Sequence, residues 1–148
     1  MSDNIHLTVA CVVPKNGRYL MVREIRNDLE LYNQPAGHVE PGEELVDAAI
    51  RETLEETAWL VEPTGVISFS TYTAPSNGVT YYRLALLCEA KSFDDTLELD
   101  DDIEEALWLG YEEILARRSQ LRSDMVIQAI DDYRAGIIYP LALLKTHR

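Results

Sequence analysis

The sequence predicts an α/β fold, a sandwich in which helices cover a mixed β-sheet. Its 148 residues, 47% hydrophobic and 26% charged, are typical of one globular domain, which we assign to residues 1–148. Several apolar runs rich in valine, threonine and tyrosine predict strands. One central run of Glu, Ala, Leu and Ile and two later runs predict helices, and this mixture favours a mixed sheet between helices.

The first two predicted strands form a hairpin. Residues 5–14 are apolar with little charge, and Lys15-Asn16-Gly17 follows them as a turn. An Asn-Gly pair between two apolar runs is a strong hairpin signal, so residues 19–22 are predicted to return as the second strand. The pattern breaks at residues 33–37 and again at Pro41-Gly42.

The central helix is predicted at residues 43–57, because this stretch holds good helix formers and neither glycine nor proline. Residues 63–65, Pro-Thr-Gly, are predicted to end the segment. One stripe of the helix is suited to packing on a sheet and consists of Val46, Ala49, Ile50 and Thr53.

The C-terminal half is predicted to contain a second hairpin, a short strand and two helices. The hairpin strands are residues 66–73 and 79–90, joined by a Pro-, Asn- and Gly-containing turn. The remaining predictions are a strand at residues 106–109 and helices at residues 112–118 and 124–135, with Gly136 as the cap of the last helix.

The chain is strongly acidic, with 26 acidic and 13 basic residues and a net charge of −13. This balance excludes a general binder of nucleic-acid duplexes or anionic membranes, which needs a basic surface. It leaves open a site for a multivalent cation. The acid is unevenly spread, because eight acidic residues lie between Glu40 and Glu62 and eight more between Asp94 and Glu105. For the second stretch we expect a solvated loop.

Signals for export or membrane insertion are lacking. The chain has no signal peptide pattern and no apolar run approaching 18 residues, so we expect a cytoplasmic protein without a membrane partner. Cys11 and Cys88 both lie in apolar strand-like runs, which favours two reduced core thiols over a disulfide.

Three carboxylates share one face of the central helix. Glu52, Glu55 and Glu56 are spaced i, i+3 and i+4, and Arg51 is the one cation in the predicted helix. Like charges at this spacing repel by a few tenths of a kcal/mol each. From the carboxylates alone, a solvated acidic surface and a Mg²⁺ or Mn²⁺ site are equally good interpretations. The loop at residues 37–42 could add a backbone carbonyl to such a site.

The spacing of Gly37, Glu43 and the run Arg51-Glu52-Thr53-Leu54-Glu55-Glu56 resembles the signature of the Nudix hydrolases. Six of its seven polar or glycine positions match over residues 37–59, and the departure is Ala58, where the family has glycine. Alanine there costs about 1 kcal/mol if the helix ends in a left-handed residue. Softer similarities at residues 6–13, 33–38, 121–123 and 139–141 resemble the NudJ-type phosphatase branch.

The resemblance implies a Nudix-type α/β/α sandwich and a metal-dependent site. Glu52, Glu55 and Glu56 would bind Mg²⁺, with Mn²⁺ as a second candidate, and the Gly37 carbonyl would be a further ligand. Arg51 would pair with Glu43 and fix the loop to the helix. The implied activity is hydrolysis of small phosphoanhydrides. For the NudJ-type branch these are nucleoside tri- and diphosphates and the pyrophosphate of a thiamine-precursor pyrimidine, with release of phosphate.

Hydrolysis also requires a general base and groups that bind the phosphates. Glu55 is the first candidate for the base, within a catalytic set of Glu52, Glu55 and Arg51. Other candidates lie before the strand at residues 106–109: Asp102, Glu104 and Glu105. Candidates for substrate contacts are His38, Arg23, Arg26 and Arg83. Tyr72, Tyr81 and Tyr82 are candidates for stacking on a ring, although tyrosines in strands are usually core or cross-strand partners.

Two alternatives stay open. One is a sanitising nucleotide pyrophosphatase that releases pyrophosphate, and the other is a non-catalytic binding module that uses the acidic face. The intact glutamates argue against the second. The remaining basic cluster, Arg117, Arg118 and Arg122, is predicted to complement the helix ends and the acidic surface rather than to bind RNA. We expect a monomer or a homodimer that acts on a small molecule.

Overall fold

Two β-sheets form the scaffold of the protein. The computed structural model describes residues 4–147, and within that range the strands form two four-stranded sheets. The strands are β1 (Ile5–Val12), β2 (Pro14–Lys15), β3 (Arg18–Arg26), β4 (Leu29–Asn33), β5 (Ala36–His38), β6 (Trp59–Thr73), β7 (Thr80–Phe93) and β8 (Ile103–Gly110).

The first sheet is the mixed sheet that the sequence predicts. Its order is β5-β1-β7-β6, with β1 and β7 parallel and the other two pairs antiparallel. The second sheet, in which β3 pairs with β2, β4 and β8, is antiparallel throughout and was not predicted as a separate sheet. The hairpin turn after β2 is confirmed, with Asn16 and Gly17 at φ values of 53° and 78°. The predicted first strand, residues 5–14, is divided between the sheets, because only β2 pairs with β3 whereas β1 pairs with β5 and β7.

Helices cover the sheets on both sides. The helices are α1 (Leu45–Thr57), α2 (Tyr111–Ala116) and α3 (Asp124–Arg134), with short 3₁₀ turns at Arg118–Gln120 and Leu141–Leu143. Helix α1 packs on the mixed sheet against Val9 and Leu86, whereas α2 and α3 enclose a second core around Met21 and Ile67. This arrangement confirms the α/β sandwich.

The buried face of α1 is shifted slightly from its predicted stripe. Ala49 and Thr53 are buried as expected, together with Ala48 and Thr57, while Val46 and Ile50 are half-buried. The Thr53 hydroxyl donates to Cys11 Sγ at 3.1 Å, which ties the helix to β1. Cys11 and Cys88 are both free and buried, so the prediction of two core thiols is confirmed.

The predicted break at residues 63–65 is wrong. Strand β6 runs through Pro63 and Gly65, and its pairing with β7 shifts register there. An edge strand tolerates proline and a bulge because one side of its backbone needs no partner, and β6 lies at the edge of its sheet. Strands β4 and β5 were also missed, because each is short and β5 begins just after Pro35.

The exit of α1 is left-handed, as the family pattern implies. Ala58 has φ 65° and ψ 11°, and its N–H donates to the Leu54 carbonyl at 2.9 Å. Alanine therefore adopts the conformation that glycine would adopt more easily, and the helix ends at the predicted place. In residues 4–147 no helix is long and apolar enough to cross a membrane.

Candidate active site

A cleft of about 530 Å³ is lined by residues of the mixed sheet, of α1, of the loop before β8 and of the start of α3. Its wall carries the carboxylates of Glu52, Glu56, Asp100 and Asp102, the arginines Arg26, Arg83 and Arg122, and the rings of His38, Tyr72 and Tyr81. His38, Thr8 and Arg83 share one row across β5, β1 and β7. Two strand spacings, about 10 Å, therefore separate the backbones of His38 and Arg83.

Three carboxylates converge where α1 meets the loop before β8. Oxygen atoms of Glu52, Glu55 and Asp100 all lie within 4.8 Å of one another. A side chain at Gly37 would overlap the Glu52 carboxyl group, so glycine is required for this close approach. The sequence predicted Glu52, Glu55 and Gly37 for this site but did not single out Asp100.

Asp100 reaches the helix through the acidic stretch that was expected to be a solvated loop. The Asp94 N–H donates to the Ala58 carbonyl at 2.9 Å, and the Asp100 N–H donates to the Glu55 carbonyl at 3.0 Å. These bonds fasten the loop along the C-terminal half of α1. Nothing in the local sequence distinguishes Asp100 from Asp101, so only the tertiary contact identifies it.

The three candidate general bases around the start of β8 lie in different environments in the structure. Asp102 lines the cleft and lies 3.7 Å from Arg26 Nη2. Glu105 lies 3.3 Å from Arg23 Nε on the neighbouring strand, and Glu104 is exposed outside the residues that line the cleft.

Arg51 is surrounded by carboxylates. Its Nε and Nη2 atoms contact Glu43 at 2.7 and 3.0 Å, and its Nη1 atom contacts Glu52 at 2.8 Å and Glu55 at 3.1 Å. Nη2 also donates to the His38 carbonyl at 3.1 Å. The Glu43 contact raises the pKa of Arg51 and lowers that of Glu43. The guanidinium thus fastens the loop before α1 to the helix, as the resemblance implies.

Glu56 projects from the same helix toward β5. Its Oε1 atom accepts the Ala36 N–H at 2.9 Å. Burial raises the pKa of Glu56 to about 9, against the effect of that N–H, and the charge of Glu52 adds to the rise. Burial also raises the pKa of Glu52. Clustered hard oxygen donors of this kind fit a divalent cation such as Mg²⁺ or Mn²⁺.

The arginine candidates differ sharply in environment. Arg83 is 6% exposed, and its Nη2 atom donates to Asn33 Oδ1 at 2.8 Å and to Gln34 Oε1 at 2.9 Å. Burial lowers the pKa of Arg83 to about 10, and the charge of Arg122 contributes. Arg23 does not line the cleft and instead forms ion pairs with Glu30 and Glu105.

Arg122 was assigned to helix ends by the sequence but lines the cleft. Its Nη1 atom contacts both carboxylate oxygens of Glu24, at 3.1 and 3.2 Å. Arg26 contacts the same carboxylate at 2.9 Å. Glu24 is only 3% exposed, so two arginines compensate one buried carboxylate.

Aromatic side chains form the rest of the cleft surface. His38 Nε2 lies 3.0 Å from His6 Nδ1, and partial burial together with His6 lowers the pKa of His38. Tyr81 packs edge-on against His6 and is paired across the strands with Tyr72. Tyr82 is not among the cleft residues, because adjacent strand residues face opposite sides of a sheet. It packs against Phe69 instead.

Comparison with known proteins defines the class to which this fold and site belong. Residues 4–129 match the NUDIX domain family model. A solved NUDIX hydrolase from Nitrosomonas europaea is 40% identical, covers 96% of this chain and 97% of its own, and superposes with a TM-score of 0.94. The chain belongs to the Nudix hydrolase family and is a hydrolase that acts on phosphoric anhydrides.

Curated relatives refine the placement within the family. Over 139 residues the chain is 40% identical to phosphatase NudJ from Shigella boydii and from Escherichia coli K12. The aligned region covers 94% of this chain and 90% of each relative. A UDP-X diphosphatase, at 13% identity and a TM-score of 0.71, shares the fold alone.

Proposed function

We propose that this Nudix hydrolase cleaves nucleoside tri- and diphosphates and related pyrophosphates in a Mg²⁺-dependent reaction that releases orthophosphate. The observation that carries the proposal is the convergence of Glu52, Glu55 and Asp100, of which Glu52 and Asp100 line a cleft that also contains the buried Arg83. The similarity to proteins named phosphatase NudJ supports orthophosphate as the product.

The divalent cation is held by Glu52, Glu55 and Asp100 in this proposal. Glu56 and the Gly37 carbonyl are the further candidate ligands from the same corner of the cleft. When bound, the cation neutralises phosphate oxygens and lowers the pKa of the attacking water. Because Mg²⁺ keeps several waters and binds substrate phosphates, a site with few protein carboxylates is sufficient.

Residues of the chain supply the proton transfer and the substrate contacts. Glu55, whose side chain is 43% exposed, accepts the proton of the attacking water. Arg51 acts through Glu52 and Glu55, because its hydrogen bonds fix both carboxylates. Arg83 binds phosphate oxygens from the opposite side of the cleft. His38 contacts the substrate from β5, and we assign no contact to Arg23, which is paired outside the cleft.

Tyr72 and Tyr81 support a substrate with an aromatic ring. Both rings line the cleft on the same face as Arg83. A base or a pyrimidine can stack on such a ring while its phosphates extend toward the carboxylates. The thiamine-precursor pyrimidine pyrophosphate is therefore a narrower candidate beside the nucleotides.

A product panel tests the proposal. Nucleoside tri- and diphosphates and the pyrimidine pyrophosphate are incubated with enzyme, with and without Mg²⁺, and orthophosphate and pyrophosphate are measured separately. We expect orthophosphate from both triphosphates and diphosphates, and only with the cation. Pyrophosphate plus a monophosphate would instead favour the sanitising pyrophosphatase. A complete absence of release from all substrates would favour the non-catalytic binding module.

A further inference from the structure

Arg83 is a buried cation that is held by neutral groups. Its only two acceptors within the described hydrogen bonds are the side-chain amide oxygens of Asn33 and Gln34. Across residues 4–147, no carboxylate lies within 4.0 Å of its guanidinium. An amide oxygen accepts a hydrogen bond but does not neutralise the charge of the donor, so the positive charge of Arg83 stays uncompensated by the chain.

The other arginines named as candidates are paired with carboxylates. Arg26 and Arg122, which line the cleft, share Glu24. Outside its lining, Arg23 contacts Glu30 and Glu105, and Arg51 lies within 4.0 Å of four glutamates. The chain has 26 acidic residues, so acidic partners are abundant. Arg83 is nevertheless bound by amides, and it lines the same cleft as Glu52 and Asp100.

Gln34 is fixed in one orientation by its second hydrogen bond. The side chain is 1% exposed, and its Nε2 atom donates to the Val126 carbonyl at 2.7 Å. A carbonyl accepts only from a donor, so the amide nitrogen must face Val126 and the amide oxygen must face Arg83. Gln34 therefore connects the guanidinium to the first turn of α3 and limits its freedom to move.

We propose that Asn33 and Gln34 form an amide clamp that holds Arg83 against the cleft while leaving its charge free for a substrate phosphate. Gln34 is the positioning residue of this clamp, and Arg83 is the group that touches the anion. The inference rests on the proposed function, because the anion is a phosphate of a phosphoanhydride. A guanidinium held in a fixed plane suits phosphate oxygens, which accept two parallel N–H donors.

The consequence is that a carboxylate in the clamp inhibits binding although it strengthens the contact to Arg83. Gln34→Glu keeps the size of the side chain and places a negative charge beside Nη2, so the guanidinium is neutralised from within. It also loses the N–H that the Val126 carbonyl accepts, which is why Asn33→Asp, at the other acceptor, is measured beside it. The substrate phosphate then competes with an internal carboxylate. Chemistry at the carboxylate cluster is untouched, so the effect falls on KM rather than on kcat.

The test is steady-state kinetics of orthophosphate release from a nucleoside diphosphate. For Gln34→Glu we expect KM to rise about tenfold or more, with kcat within about threefold of wild type. The matched control is Gln128→Glu on the exposed face of α3, which adds the same charge at a residue that is hydrogen-bonded to Asp132 and is not among the cleft residues. Its KM is expected to match that of wild type.

A double variant separates neutralisation from a structural defect. If the added carboxylate acts through Arg83, Gln34→Glu changes KM little when Arg83 is already methionine, because there is no charge left to neutralise. Asn33→Asp places a carboxylate at the other acceptor of the clamp and gives the same test if Gln34→Glu does not fold. An unchanged KM in both carboxylate variants, or an equal KM rise with and without Arg83, would overturn the clamp. A wild-type enzyme that releases no phosphate from any phosphoanhydride would instead overturn the proposed function.

Discussion

Arg51 on α1 and Arg83 on β7 have opposite environments. Arg51 contacts Glu43, Glu52 and Glu55, the first two of which raise its pKa, whereas Arg83 contacts two amides and burial lowers its pKa to about 10. The chain neutralises the first guanidinium, which fixes the carboxylates of Glu52 and Glu55. In the proposed function the second keeps its charge for a substrate phosphate. Arg51 thus has a structural role and Arg83 a proposed binding role, and the partners of each guanidinium determine the difference.

The largest expected effect is on kcat and comes from replacing the glutamates of α1, the helix that carries Arg51. Glu55→Gln and Glu56→Gln keep the side-chain size but each removes a carboxyl group proposed to bind the cation and, at Glu55, the proposed proton acceptor. We expect kcat to fall by about 10²- to 10⁴-fold in each variant while the circular dichroism spectrum stays that of wild type. Near-normal rates in both variants would contradict the metal assignment.

The next effect tests whether Asp100 belongs to the same cluster. Asp100→Asn removes one of three converging carboxylates, so the Mg²⁺ concentration for half-maximal rate should rise about tenfold or more. Asp101→Asn is the matched control, because this exposed neighbour is not part of the cluster. Equal Mg²⁺ requirements in the two variants would remove Asp100 from the site.

Replacing Arg51 or Arg83 with methionine tests the comparison through the free energy of unfolding. Arg51→Met leaves Glu43 and Glu52 without their cation, and since the Arg51 side chain is 27% exposed we expect about 2 kcal/mol of destabilisation rather than the larger cost of a fully buried pair. Arg83→Met removes a buried charge but strands two amide acceptors, so the free energy of unfolding should change by no more than about 1 kcal/mol.

Chemical denaturation measures the free energy of unfolding of both variants. Steady-state kinetics then test the binding role of Arg83. Arg83→Met should raise KM although the protein stays as stable as wild type. A strong loss of stability in Arg83→Met together with a normal KM would reverse the roles assigned to the two residues.

The smallest effect concerns the end of the helix that carries Arg51. Ala58→Gly relieves about 1 kcal/mol of left-handed strain. It also removes a buried methyl group worth about 0.8 kcal/mol. The melting temperature should therefore change little, and the rate should stay that of wild type. A marked loss of activity would show that the helix exit, and not the ion pairs of Arg51, sets the metal side of the cleft.

The sequence predicted the features that depend on helix periodicity. Glu52, Glu55 and Arg51 lie close together because residues three and four apart share a helix face, and the approach of Gly37 follows from the family pattern. Asp100 was not predicted, because its contact joins residues 45 positions apart through a loop without a regular pattern.

Strand register explains the other differences between prediction and structure. Arg23 and Arg83 were equal candidates in the sequence, and only the pairing of their strands places one outside the cleft and the other inside it. The roles of Gln34 and Asn33 depend on a partner 49 and 50 residues away. Local propensity contains no information on such contacts, which tertiary packing decides.

The dependence of orthophosphate release on Mg²⁺ tests the central claim most directly. The initial rate is measured with a nucleoside diphosphate, for which the terminal anhydride is the bond whose hydrolysis releases orthophosphate. We predict a rate that saturates with added Mg²⁺ and falls to background in EDTA. Release that continues unchanged in EDTA, or no release at any Mg²⁺ concentration, would contradict the account.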